Sequence, residues 1–210
     1  MVSNGKISMS VIKRLPRYYR FLGELKKSGT LRISSNELSM RMKLTASQIR
    51  QDLNCFGGFG QQGYGYNVEQ LYIEIGKILG VDRTCKTILV GAGNLGKAIA
   101  SHMSFESRGF SLTGIFDSNK ELIGTTLKDI EIFDIDKLDE FCLENKPEVA
   151  VLCIPSSVAS TIVDKLIDLG ITGFWNFTHF DIAAKYPEVT VENVHLNDSL
   201  MTLSYQMKNK

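Results

Sequence analysis

Gly91, Gly93 and Gly96 form a G-x-G-x-x-G run between an apolar stretch, Ile88-Leu89-Val90, and an amphipathic segment. In that setting the first glycine makes the turn and the second lets the main chain approach a pyrophosphate. The third permits close helix packing. The segment Gly91-Ala92-Gly93-Asn94-Leu95-Gly96 would then offer amide N–H groups and a helix dipole to the anion. Asp117 lies 21 residues beyond Gly96, at the end of the apolar run Leu112–Phe116. A carboxylate there accepts from both ribose hydroxyls and repels a 2′-phosphate, which favours NAD over NADP. A second set of chemistry-bearing residues lies upstream. Ser47, Arg50, Gln51 and Asn54 recur at i, i+3, i+4, i+7, and their types suit base edges: Arg for guanine, Gln or Asn for adenine.

The elements that must position these residues fall into two halves. Ile12, Leu15, Tyr19, Leu22 and Leu25 or Lys26 have helical spacing, with Pro16 confined to the first turn and Gly29 as the stop. Ser34 with Glu37, and Thr45 with Gln48, fit capping boxes that open two further helices, the second running to Phe56. On that helix Ala46, Ile49, Leu53 and Phe56 share the apolar face, leaving the polar stripe outward, a helix-turn-helix layout. Residues 56–67, FGGFGQQGYGYN, carry five glycines among aromatics and are read as a hairpin wing, placed to touch phosphates or the minor groove. Leu71, Ile75 and Ile78 mark a helix running into a boundary near Gly80–Lys86. Beyond it, strands at 88–90, 112–116, 149–154 and 173–177 alternate with helical patterns at 135–143 and 158–169, the signature of a doubly wound parallel sheet. Ile154-Pro155-Ser156 and Asn176-Phe177-Thr178 emerge at carboxyl strand ends, where such sheets bind ligands. Leu200, Leu203 and Met207 give the last segment an apolar helical face that must pack on something, such as a partner subunit.

The 210 residues carry a net charge of +1, which hides a split. Residues 1–85 hold 13 Lys/Arg against 6 Asp/Glu, and residues 86–210 hold 11 against 17. A basic half followed by an acidic one points to two domains with different partners, the basic one meeting nucleic acid. No run reaches the roughly 18–20 apolar residues of a membrane helix, and no secretory signal is legible. The four cysteines (Cys55, Cys85, Cys142, Cys153) form no C-x-x-C pair, so neither a disulfide framework nor a metal site is expected. The expectation is a reduced, cytoplasmic protein.

The whole chain resembles the redox-sensing transcriptional repressor family Rex. The likeness runs through RLPRYYRFL (14–22), SQIRQDL (47–53), FGGFGQQGYGYNV (56–68), GAGNLG (91–96), FDSNKELIG (116–124), GITGFWNFT (170–178) and VENV (191–194). It implies a winged-helix domain over 1–82, a Rossmann NAD(H)-binding domain over 83–193 and a C-terminal dimerisation helix over 194–210, exchanged between subunits. It implies a homodimer that holds a palindromic operator when the NADH/NAD⁺ ratio is low and leaves it when NADH binds. The implied DNA-contact set is Arg14, Arg17, Ser47, Gln48, Arg50, Gln51, Asn54, Gly60, Gln61, Gln62, Gly63 and Tyr64. Lys120 joins the glycine turn, Asp117, Pro155 and Asn176–Thr178 around the coenzyme.

The chain departs from the family pattern at several places, which fall into two sets. Gln51, Asn54-Cys55 and Gln61-Gln62 stand where Lys, Ser-Tyr and a basic residue are usual, and each lost cation removes about one phosphate contact. Met103 stands where many members have a Tyr near the nicotinamide, and His195 where an Asp follows Asn-Val. Asp198, one turn on, is the candidate to substitute for that acid. A small NAD-dependent dehydrogenase with a basic appendage is the alternative. It would need a proton donor such as His102, His179 or His195 and a substrate site that about 125 residues do not supply. No catalytic residue is expected. A CoA-binding domain of similar topology is disfavoured by Asp117.

Overall fold

The computed structural model describes residues 7–57, 59–61 and 64–208, with the main chain alone at Gln61. It separates into two compact units, Met1–Asp82 and Arg83–Lys210.

The first unit is built from α1 (Met9–Ile12), α2 (Leu15–Lys27), β1 (Arg32–Ile33), α3 (Ser35–Met42), α4 (Ala46–Asn54), β2 (Gly60–Gln61), β3 (Gly65–Asn67) and α5 (Val68–Leu79). Pro16 sits in the first turn of α2, where its missing N–H costs nothing, and Gly29 follows with φ +74°. Both halves of the Ser34–Glu37 capping box form at α3. At α4 only one half forms: Thr45 Oγ1 accepts from the Gln48 N–H, while the Gln48 side chain turns to Asp52. Tyr18, Leu22, Leu38, Met42, Ile49, Leu53, Leu71 and Ile75 are buried together, so α2, α3, α4 and α5 share one core. β1, β3 and β2 form a small antiparallel sheet in that order. Gly65 is needed in it, because its φ is +68° and a Cβ would lie 2.6 Å from the Ile33 carbonyl oxygen.

One buried group breaks the apolar pattern of α4. Asp52 is fully buried, and its carboxylate accepts from Arg14 Nε and Nη2, both at 2.7 Å, from Gln48 Nε2 at 2.8 Å and from the Tyr18 hydroxyl at 3.0 Å. The carboxylate thereby ties α4 to α2 and sets the rotation of α4 about its axis. Burial pushes the Asp52 carboxyl up, but the hydrogen bonds from Arg14, Gln48 and Tyr18 outweigh it and hold it below the usual carboxylate range.

The second unit carries β4 (Cys85–Val90), α6 (Asn94–His102), β5 (Phe110–Asp117), β6 (Thr126–Leu127), β7 (Ile130–Asp134), α7 (Leu138–Asn145), β8 (Val149–Leu152), α8 (Ser156–Asp168), β9 (Gly173–Asn176), α9 (Ile182–Lys185), β10 (Thr190–Asn193) and α10 (Leu196–Lys208). Its seven strands run β10-β9-β8-β4-β5-β7-β6, parallel except for the edge strand β6. The chain builds outward from β4 in both directions, so strand order reverses between β4 and β8. Ligands of open parallel sheets bind in the crevice outside such a reversal. The β6–β7 hairpin, α9 and β10 add to the strands and helices expected from periodicity. The edge strands β6 and β10 mix polar with apolar residues and lack the continuous apolar run of a central strand such as β8.

Because the folded carboxyl of Asp52 lies below its unfolded value, its stabilisation is present above about pH 4 and is lost as pH falls through the folded value. Asp52→Asn lowers the stability of this domain by about 3 kcal/mol at neutral pH and removes that acid dependence. Urea unfolding of the full chain measures both, and an unchanged midpoint contradicts the role given to the network.

Candidate functional site

The carboxyl ends of the central strands stand in a row. The Gly91 N–H donates to the Phe116 carbonyl at 2.8 Å, Cys153 N–H to Val90 at 2.8 Å, Phe177 N–H to Leu152 at 3.1 Å and Val194 N–H to Asn176 at 2.8 Å. Asp117, Gly91, Cys153, Phe177 and Val194 therefore lie side by side on one edge of the sheet. The glycine turn closes on itself there. A Cβ on Gly96 would sit 1.9 Å from the Gly91 carbonyl oxygen, and one on Gly91, at φ +100°, would sit 2.4 Å from the Cys153 carbonyl oxygen. Gly93 differs: nothing lies within 4 Å of the place its Cβ would take. The open side of the turn is thus the side at which α6 begins, and no side chain caps that helix.

Asp117 closes the other wall. Its Oδ2 accepts from the Ala92 N–H at 2.5 Å and its Oδ1 from the Asn119 N–H at 2.8 Å. Each oxygen keeps a second lone pair for a ribose hydroxyl. Lys120 is exposed and paired with Asp134 at 2.6 Å, which raises the lysine and lowers the carboxyl through that hydrogen bond. An uncapped helix N-terminus, a turn with room beside Gly93 and a carboxylate at the neighbouring strand end fit a nucleotide pyrophosphate and its ribose. The Asp117 carboxylate, which accepts only from main-chain amides, repels a 2′-phosphate.

Pro155 is the N-cap residue of α8 at the same edge. Asn176 and Thr178 belong to the crevice differently from the expected contact role. Asn176 is fully buried and Thr178 nearly so, and the Asn176 amide oxygen accepts both the Thr178 N–H and its hydroxyl. They shape the loop, whereas Phe177 stays half-buried with its ring edge-on to Trp175 at 4.8 Å. Met103 lies at the far end of α6 from the glycine turn. It lines an apolar trough of about 460 Å³ with Phe105, Phe110, Val151 and Trp175 at the amino ends of the strands. Within one chain it does not join the crevice. His195 stacks on His179, with ring centroids 5.3 Å apart and planes 10° from parallel. Asp198 falls in the first turn of α10. Burial pushes the Cys153 thiol up to about 12, so it is no thiolate. No group of three or more His, Cys, Asp or Glu suited to a metal occurs among the described residues, and no helix among them is long and apolar enough to cross a membrane.

In the first unit Ser47, Arg50, Gln51 and Asn54 are all exposed on one side of α4. Arg50 donates to Ser35 Oγ at 3.0 Å, which holds its guanidinium beside the start of α3. Arg17 lies 5.9 Å from the Phe21 ring centroid. Arg14 and Gln48, also expected at DNA, turn their side chains to Asp52 and are only partly exposed. Asp52 itself escaped the sequence reading because an acid on an apolar face looks like a break in the pattern; its signal was a basic residue, Arg14, at the head of the facing helix. In the wing, Gly60 sits in β2, and Tyr64 is exposed under Arg32, whose guanidinium lies 5.9 Å from the ring and donates to the Tyr64 carbonyl at 3.2 Å. The side chain of Gln61, and Gln62 and Gly63 entirely, lie outside the described residues.

Two family models match the chain. Residues 6–54 match "Putative DNA-binding protein N-terminus" and residues 82–180 match "CoA binding domain". The chain is 55% identical over 208 residues to the redox-sensing transcriptional repressor Rex of Thermoanaerobacter pseudethanolicus, covering 99% of this chain and 92% of that protein. It is 53% identical over 209 residues to the Rex of Clostridioides difficile, covering 99% of each. Among solved structures, RSP in complex with β-NAD⁺ and operator DNA matches with TM-score 0.90 and 53% identity, over 98% of this chain and 94% of that one. RSP in complex with β-NADH matches with TM-score 0.88 and 50% identity, over 98% and 96%.

The two outer glycines of the turn predict different failures from the middle one. Gly96→Ala displaces the turn and lowers the melting temperature by several degrees, about 1–2 kcal/mol of strain. Gly93→Ala leaves the melting temperature within about 2 °C but weakens adenine-dinucleotide binding about tenfold or more by filling the pyrophosphate's approach. Calorimetry reads both, and an unweakened Gly93→Ala variant contradicts the placement.

Proposed function

The chain belongs to the Rex family of redox-sensing transcriptional repressors, and on that premise we propose how its two units divide the task. The protein is a DNA-binding repressor that senses the NADH/NAD⁺ balance and leaves its operator when NADH binds. The observation that carries this is the match, over nearly the whole chain, to a repressor solved with both β-NAD⁺ and operator DNA. The dehydrogenase alternative loses its support, because the relatives are repressors. The working compartment is the reduced cytoplasm.

The reading head is α4. Arg50, Gln51 and Asn54 face outward and meet base edges and phosphates in the major groove, with Ser47 at the start of the stripe. The basic balance of this half supplies the phosphate attraction, and the acidic half stays away from it. Arg17, Gly60 and Tyr64 add contacts on the flanks. Arg14 and Gln48 act behind them by holding Asp52.

The coenzyme site is the crevice at the strand-order reversal. The α6 N-terminus holds the pyrophosphate, Asp117 the adenosine ribose, and Lys120 flanks it. The nicotinamide end passes over Pro155 toward Phe177. When bound, the group supplies a ring that is cationic in NAD⁺ and neutral in NADH; this chain's residues bind and compare the two forms. A tenfold change in operator affinity requires about 1.4 kcal/mol of difference between the two forms. Two sites acting in one dimer share that requirement.

The dimer is made through α10. Leu200, Leu203 and Met207 are 64%, 50% and 70% exposed, and no residue of α10 is buried. The trough lined by Met103, Phe105 and Trp175 is its apolar counterpart in the same unit. Exchange of α10 between two copies covers both surfaces. A two-fold dimer presents two copies of α4 to a palindrome, so a small rotation between the copies breaks the half-site spacing.

Arg50→Ala weakens operator binding about tenfold, within the 1–3 kcal/mol of a good base contact, and leaves NADH affinity unchanged. Anisotropy and calorimetry separate the two; a matching loss of coenzyme affinity contradicts the division between units. Leu200→Glu combined with Leu203→Glu converts the dimer to a monomer in sedimentation. A dimer mass that survives the pair of substitutions places the interface elsewhere.

A further inference from the structure

The end of β10 is fastened to the loop after β9 by more than a parallel ladder. Asn176, the last residue of β9, is fully buried, and both polar atoms of its side chain are engaged. Its Nδ2 donates to the Phe180 carbonyl at 3.0 Å and to Asn193 Oδ1 at 2.8 Å. Its Oδ1 accepts the Thr178 N–H at 3.0 Å and the Thr178 hydroxyl at 2.7 Å. Three of these four bonds fold the loop back on itself; the fourth crosses to another strand. Asn193 is the last residue of β10, paired in register with Asn176, and it is exposed. Two residues on, His195 lies on the ring of His179 from the same loop, and α10 begins at the next residue.

We propose that Asn193 is a positioning residue for the redox response. Its amide oxygen, gripped by buried Asn176, makes the loop 176–180 and the root of α10 move as one body. The inference rests on the reading that this loop borders the nicotinamide end and that α10 joins the second copy. The direction of transmission follows from what each group can give up. The Asn176 amide is oriented by Thr178 and Phe180 whether or not Asn193 is present, so the loop keeps its shape without the crossing bond. The β10 ladder likewise keeps its main-chain bonds to β9. What disappears is the rigid connection at the point where the strand hands over to α10. A displacement of the loop by the reduced ring then reaches α10 only through the main chain, with the Val194 N–H to Asn176 carbonyl bond, and through stacked imidazoles. The His179–His195 stack is a second, softer tie beside it.

Full-length Asn193→Ala and Asn193→Asp separate positioning from binding. Asp at this place keeps an acceptor for Asn176 Nδ2, in a charge-assisted bond, so it restores what Ala removes. Calorimetry gives the NADH affinity, and anisotropy of a labelled operator gives the NADH concentration at half-release. For Asn193→Ala the affinity stays within about twofold while the half-release concentration rises about fivefold; Asn193→Asp returns it to the native value. The proposal is overturned if affinity and half-release shift together, since Asn193 would then touch the coenzyme. It is also overturned if neither moves, or if Asp does not restore what Ala removes. A native chain that keeps its operator in NADH overturns the repressor reading beneath it, and this proposal falls with it.

Discussion

The approach of Gly96 to the Gly91 carbonyl is the contact on which the proposed coenzyme site depends. A side chain at Gly96 would meet that oxygen at 1.9 Å, so only a bare main chain lets β4 turn directly into α6. The turn is therefore tight enough to bring the α6 amides to the sheet edge, and Asp117 stitches its far side through the Ala92 N–H. Helix dipole, free amides and carboxylate then act at one place, because no layer of side chains stands between them. The same tightness brings Gly91 against the Cys153 carbonyl, so the chain leaving β8 is pressed to the turn. A ligand seated on the turn is in this way next to Pro155 and the β9 end.

The first unit depends on a different kind of constraint. α4 would pack on an apolar core at several rotations, since Ile49 and Leu53 present a narrow stripe. The Asp52 carboxylate removes that freedom by accepting four hydrogen bonds from three residues, two of them on or beside α2. A buried carboxylate is costly to leave unpaired, which makes the alternatives expensive and the observed rotation specific. Ser47, Arg50, Gln51 and Asn54 face outward together as a consequence. In the proposed reading of α4 as the DNA-contacting helix, the buried ion pair aims the stripe and the exposed residues make the contact.

Much of the architecture was legible because periodic patterns and glycine spacing act over short distances. The capping box at Ser34, the stop at Gly29, the glycine turn after β4 and Asp117 at the end of β5 each follow from local rules. The expected polar stripe on α4 is exposed as the spacing required. Contacts that depend on a distant partner have no such local signature. Arg14 and Gln48 look like surface cations and amides until Asp52 claims them from across the core. Asn176 looks like a ligand residue at a strand end until its burial and its bonds to Thr178 and Asn193 are seen. β6 (Thr-Leu) and β10 (Thr-Val-Glu-Asn) are edge strands without the apolar run that marked β8, and the hairpin that makes β7 a strand depends on its pairing rather than on its own pattern.

The central claim is that the redox state of the bound coenzyme, and not its mere presence, sets operator affinity. It is tested most directly by holding total nicotinamide dinucleotide constant and saturating while the NADH fraction is raised from zero to one, with operator occupancy followed throughout. The account predicts full occupancy at the oxidised end and progressive loss as the reduced form takes over. Occupancy that stays level across the whole range would contradict it.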